Sequence, residues 1–405
     1  MYAKYNYLTT ATLLNVANDV IAILTGETNK ANLSAGCDQT NTSILNTYTN
    51  AGWALHDRTA NSIGTCTITN ASPAVINKGT SSSLANDMPI AFTTTGGLPT
   101  GLSVGTTYYV VNVASGTCNV AATVGGAAIN TSSAGSGTHT LWSGRLAILK
   151  AAVVDDGTFY KYIGLDTTNT AFFQLHEYES WNATTHALTN QSIALGTTQQ
   201  QQLTIGSGTP SLIIGASARM CAFQSTIAAG IGASNANEWT GVFERSRLAP
   251  WDTVANAYPP VVLTTGNQLG ASNSTPSYSA CPRYKNPAGG DYTTTNATLL
   301  PALMGYSGKI ASGTGGVALA SGSNVITAKI PDGVGGFYCP LNDIQYRNSA
   351  NQFPGGSIST ISDAWLGPAY PANLDEVTYN GKTYVFWQNS NASTTITANL
   401  VIPKG

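Results

Sequence analysis

Charge is what this chain largely does without. Only 9% of its 405 residues are Asp, Glu, Lys or Arg, where an ordinary soluble domain carries roughly 25%. The formal net charge is −2, and no basic cluster is longer than the Arg245-Ser246-Arg247 stretch. Nothing therefore resembles a stripe that tracks a phosphate backbone, and nucleic acid is not expected as a partner. Gly, Ser, Thr, Asn and Ala fill the space the charges leave. Such a surface is neutral and polar, has little self-repulsion, and suits a protein packed against neighbours in an assembly.

Paired cysteine motifs are also missing. Cys37, Cys66, Cys118, Cys221, Cys281 and Cys339 are scattered, with no Cys-x-x-Cys and no His at ligand spacing, which excludes the common zinc patterns and leaves small buried hydrophobes as the reading for most of them. Cys66 and Cys118 fall in one small segment, so a disulfide between them stays open, although cytoplasmic synthesis would leave both reduced. There is no Gly-x-x-x-x-Gly-Lys-Ser/Thr and no Gly-x-Ser-x-Gly; IGSGT at 205–209 and SAGSG at 133–137 read as turns. No cofactor is expected.

Long hydrophobic runs are absent too. In MYAKYNYLTTATLLNVANDVIAILTGET, Leu13, Ala17, Val20 and Leu24 recur at helical spacing and Gly26 supplies a stop. Asn15, Asn18 and Asp19 interrupt that run, which disfavours a signal-peptide core or a membrane span. The expectation is an amphipathic helix packed on the first domain or on a partner.

What the sequence does have is short strands. SILNTYTNAGWALHD and GRLAILKAAVVDDGTFYKYIGLDTTNTAFFQLHEYESW carry β-branched and aromatic runs. Between them, from about 62 to 142, TCTITN, PIAFTTTG, TTYYVVNV, TCNVAA and THTLW are separated by Gly, Ser, Pro and Asn, as expected of a small all-β module inserted in a surface loop. Near the C-terminus, DEVTYNGKTYVFWQ predicts a hairpin, with Asn380-Gly381 as a type I′ turn between Val377–Tyr379 and Thr383–Trp387. The fold class expected is mainly β (α+β with few helices), with short-strand sandwich-like or barrel-like domains. The division expected is a discontinuous main domain of 1–61 plus 143–275, the inserted module at 62–142, and a β-rich C-terminal domain at 276–405.

The stretch FTTTGGLPTGLSVGTTYYVVNVASGTCNVAATVGGAAINTSSAGSGTHT resembles a small β module that recurs in virion and tail proteins of tailed bacteriophages. The resemblance rests on the Leu98-Pro99-Gly101-Leu102 turn, the Tyr108-Tyr109 strand, the Gly125-Gly126-Ala127 turn and the closing Gly135 to Thr138, in that order. The N-terminal helix, the WTGVFERSR stretch and the C-terminal hairpin together resemble, more loosely, structural proteins of such phages. The resemblance implies a non-enzymatic virion component assembled in the host cytoplasm. Its implied partners are other copies of itself and other virion proteins, with contact to a host-surface glycan left open. A place in the tail or baseplate is implied first, with neck, collar or capsid exterior as alternatives, and it brings no catalytic residue.

One stretch concentrates charge. NEWTGVFERSRLAPWDT holds Glu238, Trp239, Glu244, Arg245, Arg247, Trp251 and Asp252. Aromatic faces and paired carboxylates could serve a glycan-cutting site, a depolymerase using Glu238, Glu244 or Asp252. The favoured expectation is a structural or interface ion-pair network, with Arg forks bridging carboxylates. A depolymerase built as a parallel β-helix would show a short-coil repeat, and none is present. His176, Glu177, Glu179 and His186 lack the spacing of a helical metal site, and Asp155-Asp156-Gly157 reads as a turn. The Thr, Asn and Gly bias alone also fits a surface adhesin, against which the lack of a signal-peptide pattern weighs.

Overall fold

The computed structural model describes residues 2–40, 52–58, 61–79, 84–154, 160–168, 172–191, 202–204, 211–226 and 235–244. Further on it describes 261–264, 279–282, 284–286, 290–292, 298–301, 330–331, 337–340, 344–347, 357–359, 365–367, 374–388, 390–391 and 399–404. The protein is mainly β, with one α-helix, α1, among the described residues.

Strand β1 (Tyr2–Asn6) leads into α1 (Leu13–Leu24). The helix begins where Thr12 and Asn15 form a reciprocal capping box: Thr12 Oγ1 accepts from the Asn15 N–H and Asn15 Oδ1 accepts from the Thr12 N–H. It ends in paired bonds from Gly26 N to the Ile23 carbonyl and Glu27 N to the Ala22 carbonyl, with Gly26 at φ 112°. This left-handed close is the one that glycine adopts without a Cβ clash.

Strand β2 (Trp53–Asp57) precedes six strands that close on themselves: β3 (Asn61–Ile68), β4 (Ile76–Asn77), β5 (Pro89–Thr94), β6 (Tyr108–Ala114), β7 (Thr117–Ala121) and β8 (His139–Ser143). The barrel order is β3-β4-β7-β6-β5-β8, and β8 pairs back with β3. Each of the five stretches expected to be strands between 62 and 142 overlaps one of these strands, although β3 begins at Asn61, four residues before TCTITN. Alternating burial along β8 sends His139, Leu141 and Ser143 inward, and the core collects Ile76, Phe92, Val110, Val120 and Leu141, all unexposed. The Leu98–Leu102 turn packs on this core, with Leu102 buried in it and Leu98 against it. That turn is tied to the loop before β8 by Gly97 N to Ser136 Oγ (3.0 Å), Ser136 N to the Gly97 carbonyl (2.7 Å) and Thr100 N to Ser133 Oγ (2.7 Å).

After the barrel the chain returns as β9 (Leu146–Ala152), β10 (Tyr160–Asp166), β11 (Phe172–Asn182), β12 (Ala187–Gln191) and β13 (Gln202–Thr204). With β2 these form an antiparallel sheet ordered β12-β11-β10-β9-β2, with β13 also on β11. A second sheet follows from β14 (Ser211–Ala216), β15 (Met220–Thr226), β16 (Asn235–Phe243), β17 (Val261–Thr264) and β18 (Ser279–Pro282), in the order β1-β14-β15-β16-β17-β18. Residues Ser390–Asn391 also pair with β16. Inner-face residues of both sheets, among them Trp53, Leu149, Ile163, Leu175, Ile214 and Phe223, join one side of α1 (Val16, Val20, Ile23, Leu24) in a single apolar cluster.

The C-terminal hairpin pairs Glu376–Tyr379 with Lys382–Gln388, with Asn380 at φ 50° and Gly381 at φ 74° in the turn, as the Asn-Gly signal predicts. Strand Asn399–Pro403 adds to it. This unit touches the second sheet at Gly215, where a Cβ would lie 2.4 Å from Ile402 Cδ1 and 3.5 Å from the Trp387 ring. A side chain larger than hydrogen at 215 would require the Ile402 terminal methyl to move aside.

Candidate functional site: the buried junctions

Of the charged stretch singled out in the sequence, Glu244 is the residue whose side chain the structure describes. Glu238 and Trp239 lie on β16 opposite Ser225 and Gln224, while Arg245, Arg247, Trp251 and Asp252 lie outside the described residues. Glu244 is wholly buried and accepts from three donors: the Lys161 ammonium, Arg219 NH1 at 3.2 Å and the Val154 N–H at 3.1 Å. Its own N–H donates to the Arg219 carbonyl at 2.7 Å. Lys161, also buried, completes its donor set with the carbonyls of Ala152 (2.7 Å) and Ala218 (2.8 Å). An ammonium has three protons, and all three are used.

The geometry explains what this node does. Lys161 and Ala152 belong to the first sheet; Ala218 and Arg219 lie in the β14–β15 turn, and Glu244 follows β16, both of the second. The ion pair therefore bolts one sheet to the other, aided by Trp53 Nε1 of β2 donating to the Ser217 carbonyl at 3.2 Å. Lys161 went unnoticed in the sequence, yet YKYIGLD carried a signal. In a strand, Lys161 shares a face with Ile163 and Leu165, so it had to point inward, and an inward ammonium requires a buried acceptor.

A second set of polar contacts mounts the barrel. The polar residues that interrupt the apolar run of α1 are the attachment points. Asn15 Nδ2 donates to Asp87 Oδ2 and Asn18 Nδ2 to the Asp87 carbonyl, both at 3.2 Å, and Leu14 enters the barrel core. Asp19 turns the other way, accepting from Ser34 N (2.7 Å) and Ser34 Oγ (2.8 Å) beside Tyr7. Burial pushes the Asp19 carboxyl up to about 6, with the bonds from Ser34 opposing that rise. The α1 helix thus serves two cores.

The two chain crossings between body and barrel are clamped together. Arg58, on the incoming segment, donates from Nε to the carbonyl of Gly144 on the outgoing one (3.1 Å) and from NH2 to Asn18 Oδ1. Burial lowers its pKa, an effect opposed by Tyr109, and a guanidinium remains charged at neutral pH regardless. Beside it, Asp57 Oδ2 accepts from Trp181 Nε1 (2.7 Å) and from the Nδ1–H of His186 (2.8 Å). The His186 ring lies 5.1 Å from Trp142 of β8. The chemistry available here is binding and positioning: each donor and acceptor named is matched within the protein.

His176, Glu177 and Glu179 sit on β11, but their side chains, like Asp155 and Asp156, lie outside the described residues. Among the described residues no group of three or more His, Cys, Asp or Glu could hold a metal ion, and no helix is long and apolar enough to cross a membrane. Cys37, Cys66, Cys118 and Cys221 are buried free thiols; burial raises the pKa of Cys66 to about 11 and of Cys118 to about 12. No family model matches the chain, and no curated protein matches its sequence.

Proposed function

We propose that the chain is a structural component of a tailed-phage virion, in the tail or baseplate or associated with the tail, acting by assembly with copies of itself and other virion proteins. The observation that carries the reading is the mounting of the barrel. A closed module standing on two clamped chain crossings, and sharing a helix with the body, holds a fixed direction relative to that body. Fixed presentation is what an assembly part requires, and the charge-poor surface suits close packing against neighbours. The sequence resemblance of residues 92–140 to modules of virion and tail proteins supports the tail over the neck, collar or capsid exterior.

The depolymerase reading draws no support from Glu244. An acid or nucleophile must reach the sugar, whereas this carboxylate is unexposed and bound by Lys161, Arg219 and the Val154 N–H.

The test is immunogold electron microscopy of particles from a lysate that produces the chain, using an antibody against residues 62–142 first shown to bind the purified native protein. Gold on tails or baseplates is the expected result. Gold on heads or collars would replace the tail assignment by decoration, and unlabelled particles would overturn the virion reading itself.

A further inference from the structure

The outer face of the first sheet carries more aromatic surface than its packing uses. On β10, Tyr160 and Tyr162 point away from the core while Lys161, Ile163 and Leu165 point into it; on β9, Ile148 and Lys150 are on the outer side. Tyr178 of β11 lies directly across from Tyr162, its ring over Gly164, where a Cβ would meet it at 2.8 Å. That ring, Trp181 and Ile148 form a small buried patch.

From this floor a row of rings emerges: His56, Tyr162 at 5.3 Å, then Tyr160 at 6.4 Å, the last 44% exposed. Among the described residues no hydrogen bond engages the hydroxyls of Tyr160 or Tyr162. The Lys150 ammonium stands 4.9 Å from the centre of the Tyr160 ring and, among the described residues, makes no ion pair. The described carboxylates of β10 and β2 are engaged elsewhere: Asp166 by the N–H and hydroxyl of Thr168, and Asp57 by Trp181 and His186.

We propose that this ledge binds an acidic polysaccharide, a chain of sugars bearing carboxylates, with Tyr160 and Tyr162 as the stacking surface and Lys150 as the anion partner. The ring centres are 6.4 Å apart and their planes are inclined by 52°, so each ring offers a separate electron-rich face to the apolar C–H face of a sugar unit rather than the two forming one flat platform. Their hydroxyls offer both donor and acceptor to sugar hydroxyls at the ledge. The cation selects among glycans, because a carboxylate meets an ammonium that has the π face of Tyr160 beside it. An apolar protein surface fits less well, since the emerging row ends in tyrosine hydroxyls and an ammonium rather than in aliphatic side chains. The proposal deepens the host-contact side of the virion reading but is measured on the isolated protein, so its failure leaves the particle-labelling result standing, and the reverse.

The experiment is isothermal titration of the full chain with polygalacturonate, using dextran as the neutral probe. It is accompanied by Tyr160→Ala, Tyr160→Phe and Lys150→Gln, each checked for an unchanged melting curve, and by sedimentation to read self-association. Polygalacturonate binds and dextran does not; affinity falls about ten-fold or more in Tyr160→Ala and Lys150→Gln and stays within about two-fold in Tyr160→Phe, the change expected when a stacked ring or a charge partner is lost. No binding of polygalacturonate, equal binding of dextran, or affinity unmoved by Tyr160→Ala or Lys150→Gln overturns the assignment. A Tyr160→Phe loss as large as that of the alanine variant removes the stacking role. A change of oligomer size in Tyr160→Ala, without a change in glycan affinity, overturns the proposal in favour of a second copy of the chain covering this face.

Discussion

Within the barrel, the buried polar side chains among the described residues are Thr131, His139 and Ser143, none of them a carboxylate, ammonium or guanidinium. The two-sheet body buries Asp19, Lys161 and Glu244, with Asp57 and Arg58 at the point where the barrel joins it. The difference follows from topology. A closed barrel pairs every strand on both sides, so strand register alone fixes its shape and an apolar filling suffices. Two open sheets facing each other across an apolar layer have no such closure, and greasy contacts are non-directional. Directional contacts, the ammonium of Lys161 on three acceptors and the bonds from Ser34 to Asp19, set how sheets and helix sit.

The hardest blow to that contrast is Glu244→Ala. It leaves the Lys161 ammonium buried with carbonyls alone and strands the Val154 N–H, an uncompensated charge that costs about 3–5 kcal/mol. The expected result in urea titration is a body that unfolds earlier while barrel amides, followed by hydrogen exchange, keep their protection until higher denaturant. A single transition carrying both regions down together would show that the barrel draws its stability from the body.

A smaller effect is expected from pH. In the folded state the Asp19 carboxyl titrates near 6, against 3.8 for the free side chain. A carboxyl whose folded value is raised favours the native state most when protonated. Its contribution is therefore complete below about pH 4 and is lost as pH rises through about 6, a difference on the order of 2–3 kcal/mol. Asp19→Asn keeps an acceptor for the Ser34 N–H and removes the titration, so its stability should run flatter than wild type between pH 4 and 7 in thermal melts. Equal slopes would mean that Asp19 titrates in the fold as it does in the open chain.

Much of the fold was legible because its signals are local. The helix was readable from Leu13, Ala17, Val20, Leu24 and the Gly26 stop, the hairpin from Asn380-Gly381, and five of the six barrel strands from short β runs between turns. The sixth, Ile76–Asn77, is two residues long and too short to carry a period. The long-range pairings were not legible. Glu244 stood out as a charge in a charge-poor chain, but its partners Lys161 and Arg219 lie 83 and 25 residues away, and only the sheet topology brings them together. Asn15 and Asn18 read as interruptions of an apolar helix because the surface they bind, the Asp87 loop, belongs to the module folded some 70 residues later. The outer aromatic row on β10 was hidden in plain alternation: Tyr160 and Tyr162 identify themselves as outward once Lys161 is known to be inward.

The finest probe of the contrast lies inside the barrel. Tyr108 packs its ring 5.9 Å from Phe92 and accepts from the Ser103 N–H through its hydroxyl at 2.8 Å, pinning the Leu98–Leu102 turn to the core beneath it. Tyr108→Phe keeps the ring and deletes that acceptor. Because Ser103 is exposed, its N–H can turn to water, which limits the loss to about 0.5–1.5 kcal/mol. Since no buried charge among the described residues links this turn to the body, the loss should stay local: faster hydrogen exchange for amides of the 96–103 and 133–138 loops, and unchanged exchange in β10, β14 and β15. Faster exchange in those body strands would mean that α1, through Leu14 and Asn18, transmits strain from one core to the other, and the two regions would then have to be treated as a single cooperative unit joined by the helix.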